Sequence, residues 1–291
     1  MKRNQFGEII KNEPLKKHCS MHVGGGCKLF CMPQKISQLL AILKYSNKNK
    51  IKYFILGNGT NVIFKDNGYN GIVICLNKFQ QIKQTKNGVC VDAGVGLFKL
   101  NTYLAQNGLA GLEWSYGIPG TVGGAVCMNA GAYGSEVCNF VEKVEVIENY
   151  KKKIIKCKNL QFFYRDSTIL QKKLIVTKVW LKLKKDSSEK IIKNQKQFFE
   201  KRKITQPIEF YNSGSIFKKV DGESAGKIID NLGLKNVKIN GAEVSGLHAN
   251  FIINKGNATA QDVVDLIQKI KKQVLEKTGK VLEQEVIIVG D

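Results

Sequence analysis

The glycine-rich segment 111–134, GLEWSYGIPGTVGGAVCMNAGAYG, is the feature that most restricts how this chain can fold. It holds seven glycines and a single acidic residue, Glu113, and it contains no lysine in a chain where lysine is abundant. Glycine lets the backbone adopt a positive φ and lets another group approach the main chain closely. We therefore expect something to pack directly against this backbone.

The glycine spacing argues against a classical dinucleotide-binding fold, which requires G-x-G-x-x-G between a strand and a helix. GNGTNV (57–62) and AGVGLFKL (93–100) lack the third glycine, and the glycines of GIPGTVGG (117–124) are spaced differently. The loops 57–61 and 117–124 still predict an extended phosphate-bearing cofactor, because main-chain N–H groups bind phosphate oxygens. Ordinary tight turns are the alternative interpretation for either loop alone.

Hydrophobic periodicity and turn residues predict an α+β chain in two glycine-punctuated halves. Asn87-Gly88 predicts a hairpin, and Thr259 with Asp262 predicts a helix N-cap. The polar helix predicted over 187–203 marks a domain boundary. The other predicted helices cover 35–46, 224–233 and 259–279, and the segment 97–111 has helical spacing that is expected to stop at Asn107-Gly108. The predicted strands include 71–77, 173–185, 214–220, 249–254 and a closing strand over 282–289.

The charge balance is 46 − 24 = +22, and all the basic residues are lysines except Arg3, Arg165 and Arg202. Such a charge is compatible with binding to nucleic acid or to an anionic membrane surface. The lysines are scattered through predicted strands and helices, so we favour solvated faces and expect neither partner. A positive field still attracts anionic small molecules.

Composition also points to a cytoplasmic protein without metal. No run of about 18 apolar residues predicts a membrane span, and the first 18 residues lack the apolar core of a signal peptide. The eight cysteines form no C-x-x-C pair, so we expect reduced thiols and no metal site.

Several motifs together resemble the UDP-N-acetylenolpyruvoylglucosamine reductase family. The glycine-rich segment resembles the family signature nearly residue for residue, and LGNGTNVIF (56–64) resembles its first glycine loop. No long tyrosine-bearing insertion follows the 173–185 strand, which is similar to the shorter subclass of the family. Further matches follow in the family's order: FYRDS (163–167), TQPIEFYNSGSIFKK (205–219), AGKIID (225–230), HANFIIN (248–254) and LEQEV (282–286).

The resemblance implies an FAD-binding domain of the vanillyl-alcohol-oxidase (PCMH) type over residues 1–187, in subdomains of about 1–50 and 51–187. A smaller α+β substrate-binding domain would cover 188–291, with its last strand returning towards the flavin. The implied reaction uses non-covalent FAD and NADPH. It reduces UDP-N-acetylglucosamine enolpyruvate to UDP-N-acetylmuramate, a peptidoglycan precursor. We expect a cytoplasmic monomer.

The resemblance implies three catalytic residues, Arg165, Ser215 and Glu285. Arg165 would bind the substrate carboxylate and the developing enolate, since its planar guanidinium carries a permanent charge. Ser215 would donate the proton to carbon, and Glu285 would polarise or protonate the enol.

The residue patterns alone leave alternatives open at each of these positions. The arginine could instead form a surface or buried salt bridge with Asp166 or another acid. The serine could instead be an ordinary turn residue that bonds its own backbone, and Ser213 fits that description as well. Glu283 lies on the same face of the predicted strand as the glutamate two residues later, so position alone does not choose between them.

The resemblance also implies contacts with the cofactor and the substrate. Tyr164, Lys218 and Lys219 are the predicted substrate-binding residues. The predicted cofactor contacts are Gly57, Asn58, Gly59, Thr60, Asn61, Gly117, Pro119, Gly120, Thr121, Gly123, Gly124, Ala125 and Asn129.

Some positions depart from the family. His22 stands where arginine is usual, Gly26 where proline is common, and Lys219 and Val220 where Asn-Pro is usual. These departures leave the substrate diphosphate contacts near Lys219 open. One competing hypothesis is a flavin-dependent alcohol or sugar oxidase on the same fold, with FAD tethered through His22 or Cys127. Another is a basic nucleic-acid-binding protein.

Overall fold

The computed structural model describes residues 3–291, with side chains from residue 5 onward. The first residues of the segment searched for a signal peptide lie outside this range. The helices are α1 Arg3–Phe6, α2 Ile36–Lys48, α3 Leu97–Gln106, α4 Val122–Cys127, α5 Thr168–Gln171, α6 Ser188–Thr205, α7 Ala225–Asn231 and α8 Ala260–Thr278.

The strands are mostly short. They are β1 Glu8–Pro14, β2 Gly26–Met32, β3 Tyr53–Leu56, β4 Val62–Phe64, β5 Tyr69–Cys75, β6 Ile82–Thr85, β7 Gly88–Asp92, β8 Leu109–Ala110, β9 Gly131–Ala132, β10 Ser135–Glu136, β11 Val141–Glu148, β12 Lys151–Lys156, β13 Phe162–Phe163, β14 Asp166–Ser167, β15 Ile175–Lys182, β16 Lys184–Lys185, β17 Tyr211–Ser215, β18 Lys238–Ile239, β19 Ala242–Val244, β20 Phe251–Asn254 and β21 Ile287–Val289. The predicted mixture of helices and strands is confirmed.

The chain divides into two compact units that are discontinuous in sequence. The first contains the chain up to Ile10 together with Leu29–Asn58 and Gly71–Lys201, and the second contains Lys11–Lys28, Gly59–Asn70 and Arg202–Asp291. The limit predicted at residues 187 and 188 stays a prediction about domains, because compactness and sequence families divide a chain by different criteria.

The first unit is built on a five-stranded antiparallel sheet in the order β12-β11-β15-β7-β6. One face carries buried valines such as Val144 and Val179, which pack with α3, α4 and Trp114 into the main core of this unit. The edge strand β12 is exposed and lysine-rich, and charged edges disfavour further strand pairing.

A second core of the first unit lies beside a four-stranded sheet in the order β1-β2-β5-β3. Helix α2 buries Leu39, Ile42 and Leu43 there, in the i, i+3, i+4 spacing that the sequence predicts. Ile147 and Ile175 of the five-stranded sheet also belong to this core.

The second unit combines a four-stranded sheet, β17-β20-β19-β18, with helices α7 and α8. Strand β21 pairs in parallel with β4, so that Ile287 lies opposite Val62. This pairing and the bond from the Ser20 hydroxyl to the Asn212 carbonyl (2.6 Å) draw two N-terminal segments into the unit.

Helix α8 begins and ends as its sequence predicts. The Thr259 hydroxyl accepts from the Asp262 N–H, and the Asp262 carboxylate accepts from the Thr259 N–H, which forms a capping box. The Asp66 carboxylate accepts from the N–H groups of Ala260 and Gln261, each at 2.9 Å. Gly279 ends the helix in the left-handed conformation.

Three strand predictions are corrected. The predicted hairpin is present, but its loop is Lys86-Asn87, because Thr85 pairs with Gly88. The predicted strand 214–220 ends at Ser215, since its partner β20 begins only at Phe251. The closing strand predicted over 282–289 is regular only in β21, with an isolated bridge at Gln284.

Among the described residues, no helix combines the length and apolar character that crossing a bilayer requires.

We expect Thr259→Ala to lower the free energy of unfolding by about 1 kcal/mol, because a helix N-cap is lost. The measurement is urea denaturation followed by circular dichroism. Thr102→Ala is the control: its hydroxyl is exposed in the middle of α3 and bonds only the Phe98 carbonyl. Equal losses in both variants would contradict the capping role.

This loss should also depend on pH. Burial opposes ionisation of Asp262, but hydrogen bonds from Thr259 and Asn240 outweigh burial and lower the pKa of the carboxyl. A lowered pKa stabilises the fold above the unfolded value of about 4, and this contribution is lost as the pH falls through the folded value. The difference between wild type and Thr259→Ala should therefore shrink in acid.

Candidate active site

Ser215 lies at an irregularity in the sheet of the second unit. The pairing of β17 with β20 shifts register between Asn212 and Ser215, and Gly214 adopts φ +73° within the shift. The Asn212 side-chain oxygen accepts from the Gly214 N–H at 2.9 Å and fixes the turn. A bulge of this kind re-aims the side chain that follows it, so the local backbone determines where Ser215 points.

The two candidate serines occupy different surroundings. Ser213 is buried, and its hydroxyl donates to the Val62 carbonyl at 3.4 Å. Ser215 is partly exposed, and no group in the described part of the chain hydrogen-bonds its hydroxyl. Of the two, only the Ser215 hydroxyl is therefore available to a ligand.

The segment that carries Glu285 runs antiparallel to the residues after Ser215. The Glu285 N–H donates to the Ile216 carbonyl at 2.8 Å, and the Lys218 N–H donates to the Glu283 carbonyl at 2.9 Å. The Asn61 side-chain amide donates to the Glu285 carbonyl at 3.1 Å. Ser215, Glu285 and Asn61 are thus brought together in the second unit through their backbones.

The two candidate glutamates also differ. The Glu283 side chain is 71% exposed and forms an ion pair with Lys218 at 2.6 Å, whereas Glu285 is partly buried. This pairing offsets the charge of Lys218, which weakens the case for it as a diphosphate ligand. Lys219 is exposed.

Arg165 belongs to the first unit, at the tip of the β13–β14 hairpin. Phe163 pairs with Asp166, so the loop consists of Tyr164 and Arg165 alone. Arg165 adopts φ +57°, a conformation that L-residues other than glycine and asparagine rarely take. Strain of this kind costs on the order of 1 kcal/mol and is concentrated at functional sites.

The Arg165 guanidinium is held by its surroundings. Its Nη2 donates to the Gly131 carbonyl at 2.8 Å, and its Cζ lies 4.9 Å from the centre of the Tyr164 ring. A side chain at Gly131 would approach Glu136 and the guanidinium. The alternative of a salt bridge to Asp166 finds no support, since that carboxylate accepts from the Ser167 N–H and the Gln171 amide.

Asn129 anchors the same hairpin. The residue is buried, and its amide donates to the Glu136 carboxylate at 2.9 Å and to the Phe163 carbonyl at 3.0 Å. A second anchor is the bond from the Ser167 hydroxyl to the Cys127 carbonyl (2.6 Å). The Asn129 side chain, predicted to contact the cofactor, thus connects protein segments.

The predicted cofactor loop 57–61 is shaped by close approaches within each unit. In the first unit, a Cβ at Gly57 would lie 2.4 Å from the Thr121 hydroxyl, and the Asn58 amide donates to the Pro119 carbonyl at 2.7 Å. In the second unit, a Cβ at Gly59 would lie 2.1 Å from the His18 carbonyl oxygen. Packing of the protein itself therefore requires both glycines.

In the segment 117–125, packing of the protein requires glycine at Gly123 but not at Gly124. A Cβ at Gly123 would lie 2.8 Å from the Ala93 Cβ, so Gly123 is required by packing. Gly124 is exposed, and a Cβ there would meet only the Thr121 hydroxyl at 3.4 Å within the described chain. Gly117, Gly120 and Ala125 lie in the same segment.

One observation shows that the 59–61 turn suits a phosphate-bearing cofactor. The described part of the chain supplies no acceptor for the N–H groups of Gly59, Thr60 and Asn61, and unpaired main-chain donors suit an anion. These donors therefore fit the phosphate groups of FAD.

Of the two residues considered for a covalent flavin link, Cys127 is poorly suited to one. Burial raises the pKa of the Cys127 thiol to about 12, so the nucleophilic thiolate is scarce at neutral pH. The His22 ring stacks on Tyr211 in the second unit, with ring centres 3.9 Å apart. None of the eight cysteines, all of which the structure describes, forms a disulfide, and the described side chains contain no group of three or more potential metal ligands.

The sequence analysis missed Gly131, Glu136 and Asn212 as residues that build the site. Gly131 lies within the glycine-rich segment, so its composition was the available signal. Asn212 stands two residues before a glycine, which is the spacing of an Asx turn. Nothing in the sequence pattern marks Glu136.

Comparison with known proteins identifies the family of this chain. Residues 206–289 match the family described as UDP-N-acetylenolpyruvoylglucosamine reductase, C-terminal domain, and residues 27–158 match the FAD binding domain family. A solved structure of UDP-N-acetylenolpyruvylglucosamine reductase from Thermus caldophilus superposes with a TM-score of 0.82 at 34% identity, covering 97% of this chain and 98% of that one.

Curated relatives match over nearly the whole chain. The UDP-N-acetylenolpyruvoylglucosamine reductase of Caldanaerobacter subterraneus subsp. tengcongensis is 40% identical over 98% of this chain and 95% of its own length. That of Alkaliphilus oremlandii is also 40% identical, over 97% of this chain and 94% of its own length. The predicted fold class, an FAD-binding domain followed by a smaller α+β domain, is confirmed. This chain belongs to the UDP-N-acetylenolpyruvoylglucosamine reductase family.

Proposed function

We propose that this protein reduces UDP-N-acetylglucosamine enolpyruvate to UDP-N-acetylmuramate, a peptidoglycan precursor, with NADPH as the electron source. Family membership supports the reaction. The observation that carries the chemistry is the Ser215 hydroxyl, which is partly exposed, has no partner among the described residues and is fixed beside the Glu285 backbone.

FAD is the cofactor, as the match to the FAD binding domain family indicates. When bound, FAD would supply the redox chemistry that carries hydride from NADPH to the enolpyruvyl double bond. The unpaired N–H groups of Gly59, Thr60 and Asn61 are suited to the pyrophosphate, and the open backbone at Gly124 is suited to close approach by the cofactor. Residues 117–125 and the Asn58 side chain would complete the contacts.

Arg165 would bind the substrate carboxylate and stabilise negative charge as it develops on the neighbouring carbon. The hydrogen bond to the Gly131 carbonyl and the contact with Tyr164 hold the guanidinium before substrate arrives. A pre-oriented cation stabilises a transition state without reorganisation at the moment of reaction. Tyr164 and Lys219 are proposed to contact substrate, and Lys218 does so only if its pair with Glu283 opens.

Ser215 would donate its proton to the carbanionic carbon. A serine hydroxyl is a weak acid in water, but an enolate carbon is basic enough to accept the proton from a hydroxyl aimed at it. Glu285 would polarise the enol. We also propose that the protein works as a monomer in the cytoplasm, where its eight cysteines, none of which forms a disulfide, would remain reduced.

The proposal is tested by the absorbance spectrum of the purified protein. We expect bound flavin that bleaches when NADPH is added under argon and recovers when UDP-N-acetylglucosamine enolpyruvate follows. Denaturation should release the flavin, because no covalent link is expected. A colourless protein, or reduced flavin that only oxygen reoxidises, would contradict the proposed function.

The role of Gly124 can be separated from that of Gly123. Gly124→Ala should preserve or raise the stability of the apoprotein by up to about 1 kcal/mol, because alanine is the better helix residue. The same change should weaken FAD binding, since the methyl group occupies the open approach. Gly123→Ala should destabilise the apoprotein by crowding Ala93. Thermal unfolding measures the stability of the apoprotein, and flavin fluorescence measures the affinity for FAD. If Gly124→Ala binds FAD as tightly as wild type, the cofactor does not approach the backbone at Gly124 closely.

Ser215→Ala should leave flavin reduction by NADPH intact and slow reoxidation by the enolpyruvyl substrate by about 10²-fold or more, because the proton donor is lost. Stopped-flow absorbance resolves the two half-reactions. Ser213→Ala is the matched control and should reduce stability without slowing reoxidation selectively. If reoxidation remains fast in Ser215→Ala, another group is the donor.

A further inference from the structure

The HANFIIN motif (248–254) contains a buried asparagine that the mechanism above does not use. Asn250 is 7% exposed and immediately precedes strand β20. Its neighbour across the second unit is Phe217, which is also buried and lies two residues after Ser215. The contacts between these two residues connect the motif to the proton donor.

The Asn250 carboxamide bonds both main-chain polar groups of Phe217. Its Oδ1 accepts from the Phe217 N–H at 2.9 Å, and its Nδ2 donates to the Phe217 carbonyl at 2.8 Å. The main-chain carbonyl of Asn250 accepts from the Ile216 N–H at 2.9 Å. One residue therefore pairs three of the main-chain groups of Ile216 and Phe217, directly beyond Ser215.

This arrangement continues the sheet where the strand itself stops. Ser215 pairs with Phe251, and before Phe251 the chain turns through residues 248–250 and leaves the sheet. The Asn250 side chain then presents a donor and an acceptor to Phe217, as a neighbouring strand would. Without it, both buried groups of Phe217 would lose a partner.

The opposite side of the same segment holds Glu285. The Ile216 carbonyl accepts from the Glu285 N–H, and Phe217 forms a bridge with Gln284. Residues 216–218 are thus fixed between Asn250 and the Glu285 segment. A shift of the Phe217 backbone would therefore displace Ser215 and change its position relative to Glu285.

We propose that Asn250 is a positioning residue for proton transfer: its carboxamide pairs the backbone of Phe217 and thereby holds the Ser215 hydroxyl in place beside Glu285. This inference rests on the proposed function, in which Ser215 is the donor. Displacement of a catalytic group by about 1 Å can cost on the order of 10²-fold in rate, so the requirement for accurate placement is strict.

The decisive variant is Asn250→Asp, which keeps the size of the side chain and the acceptor for the Phe217 N–H. An ionised aspartate places a second oxygen against the Phe217 carbonyl, where the amide donated before. We expect flavin reduction by NADPH to stay at the wild-type rate while reoxidation by the enolpyruvyl substrate slows about tenfold or more.

The pH profile adds a readout that a purely structural role would not move. A protonated aspartic acid again supplies one acceptor and one donor to Phe217. Reoxidation in Asn250→Asp should therefore recover towards the wild-type rate as the pH is lowered. The titratable groups nearby are His248, whose Nδ1 accepts from the Asn250 N–H at 3.2 Å, Glu285 and the Lys218–Glu283 pair.

Asn254→Asp is the matched control, because it separates the general effect of burying an aspartate from the specific loss of the bond to Phe217. Asn254 lies in the same motif and is equally buried. Its amide bonds the Met21 carbonyl and the N–H groups of Gly256 and Ala258, away from Phe217. We expect this variant to lose stability without a selective loss of reoxidation and without recovery in acid.

Each outcome has a separate meaning. If wild type fails to reoxidise with the enolpyruvyl substrate, the proposed function fails. If wild type reacts but Asn250→Asp slows both half-reactions equally, slows neither, or shows no recovery in acid, the positioning role is wrong. Should Asn250→Asp not fold, Asn250→Ser avoids a buried charge and still loses at least one bond to Phe217. It must then slow reoxidation selectively, and equal slowing of both half-reactions would overturn the inference.

Discussion

The need to pair buried main-chain groups around residues 216–218 determines the geometry of the second unit. Buried N–H and C=O groups rarely remain unpaired, because each would lose its bonds to water without replacement. Strand β20 provides partners only as far as Ser215, so the Asn250 side chain and residues 283–286 supply the rest. Ser215 stands where the regular ladder ends, and its side chain is left accessible there.

Two requirements explain glycine in these loops, close packing of the protein against itself and close approach of a cofactor, and the sequence cannot separate them. Gly57, Gly59 and Gly123 are required by close packing of the protein against itself, whether or not a ligand binds. Gly124 lacks such a neighbour among the described residues, and the N–H groups of the 59–61 turn lack protein acceptors. The case for a cofactor therefore depends on the positions that packing leaves unexplained, and a count of glycines overstates it.

Local signals predicted local structure well. Helices α2, α3 and α8 follow from apolar spacing, and α8 also from the caps at its ends, because those interactions join residues a few positions apart. The parallel pairing of β21 with β4 joins opposite ends of the sequence, and no nearby residue encodes it. For this reason the sequence does not predict the discontinuous second unit, and the closing strand predicted over 282–289 is longer than β21.

The candidate site shows the same division between local and distant information. Its proposed catalytic residues could be singled out only through resemblance to a family, because serine and glutamate each occur twice within three positions. Burial distinguishes them: Ser213 bonds the Val62 carbonyl, and Glu283 is exposed beside Lys218. The partners responsible lie far away in sequence, so no local pattern could have separated the pairs. The bonds of Asn250 to Phe217 have the same origin.

The two units place their polar site residues at positive-φ turns, with different consequences for stability. In the second unit, Gly214 takes the left-handed conformation and Ser215 follows it, so the strain falls on a residue that tolerates it. In the first unit, Arg165 takes that conformation itself, although glycine or asparagine would adopt it with less strain. The guanidinium bond to the Gly131 carbonyl and its contact with Tyr164 offset part of that cost. Because the turn position and the charged group coincide at Arg165, backbone stability favours a different residue there from the one that the proposed function requires.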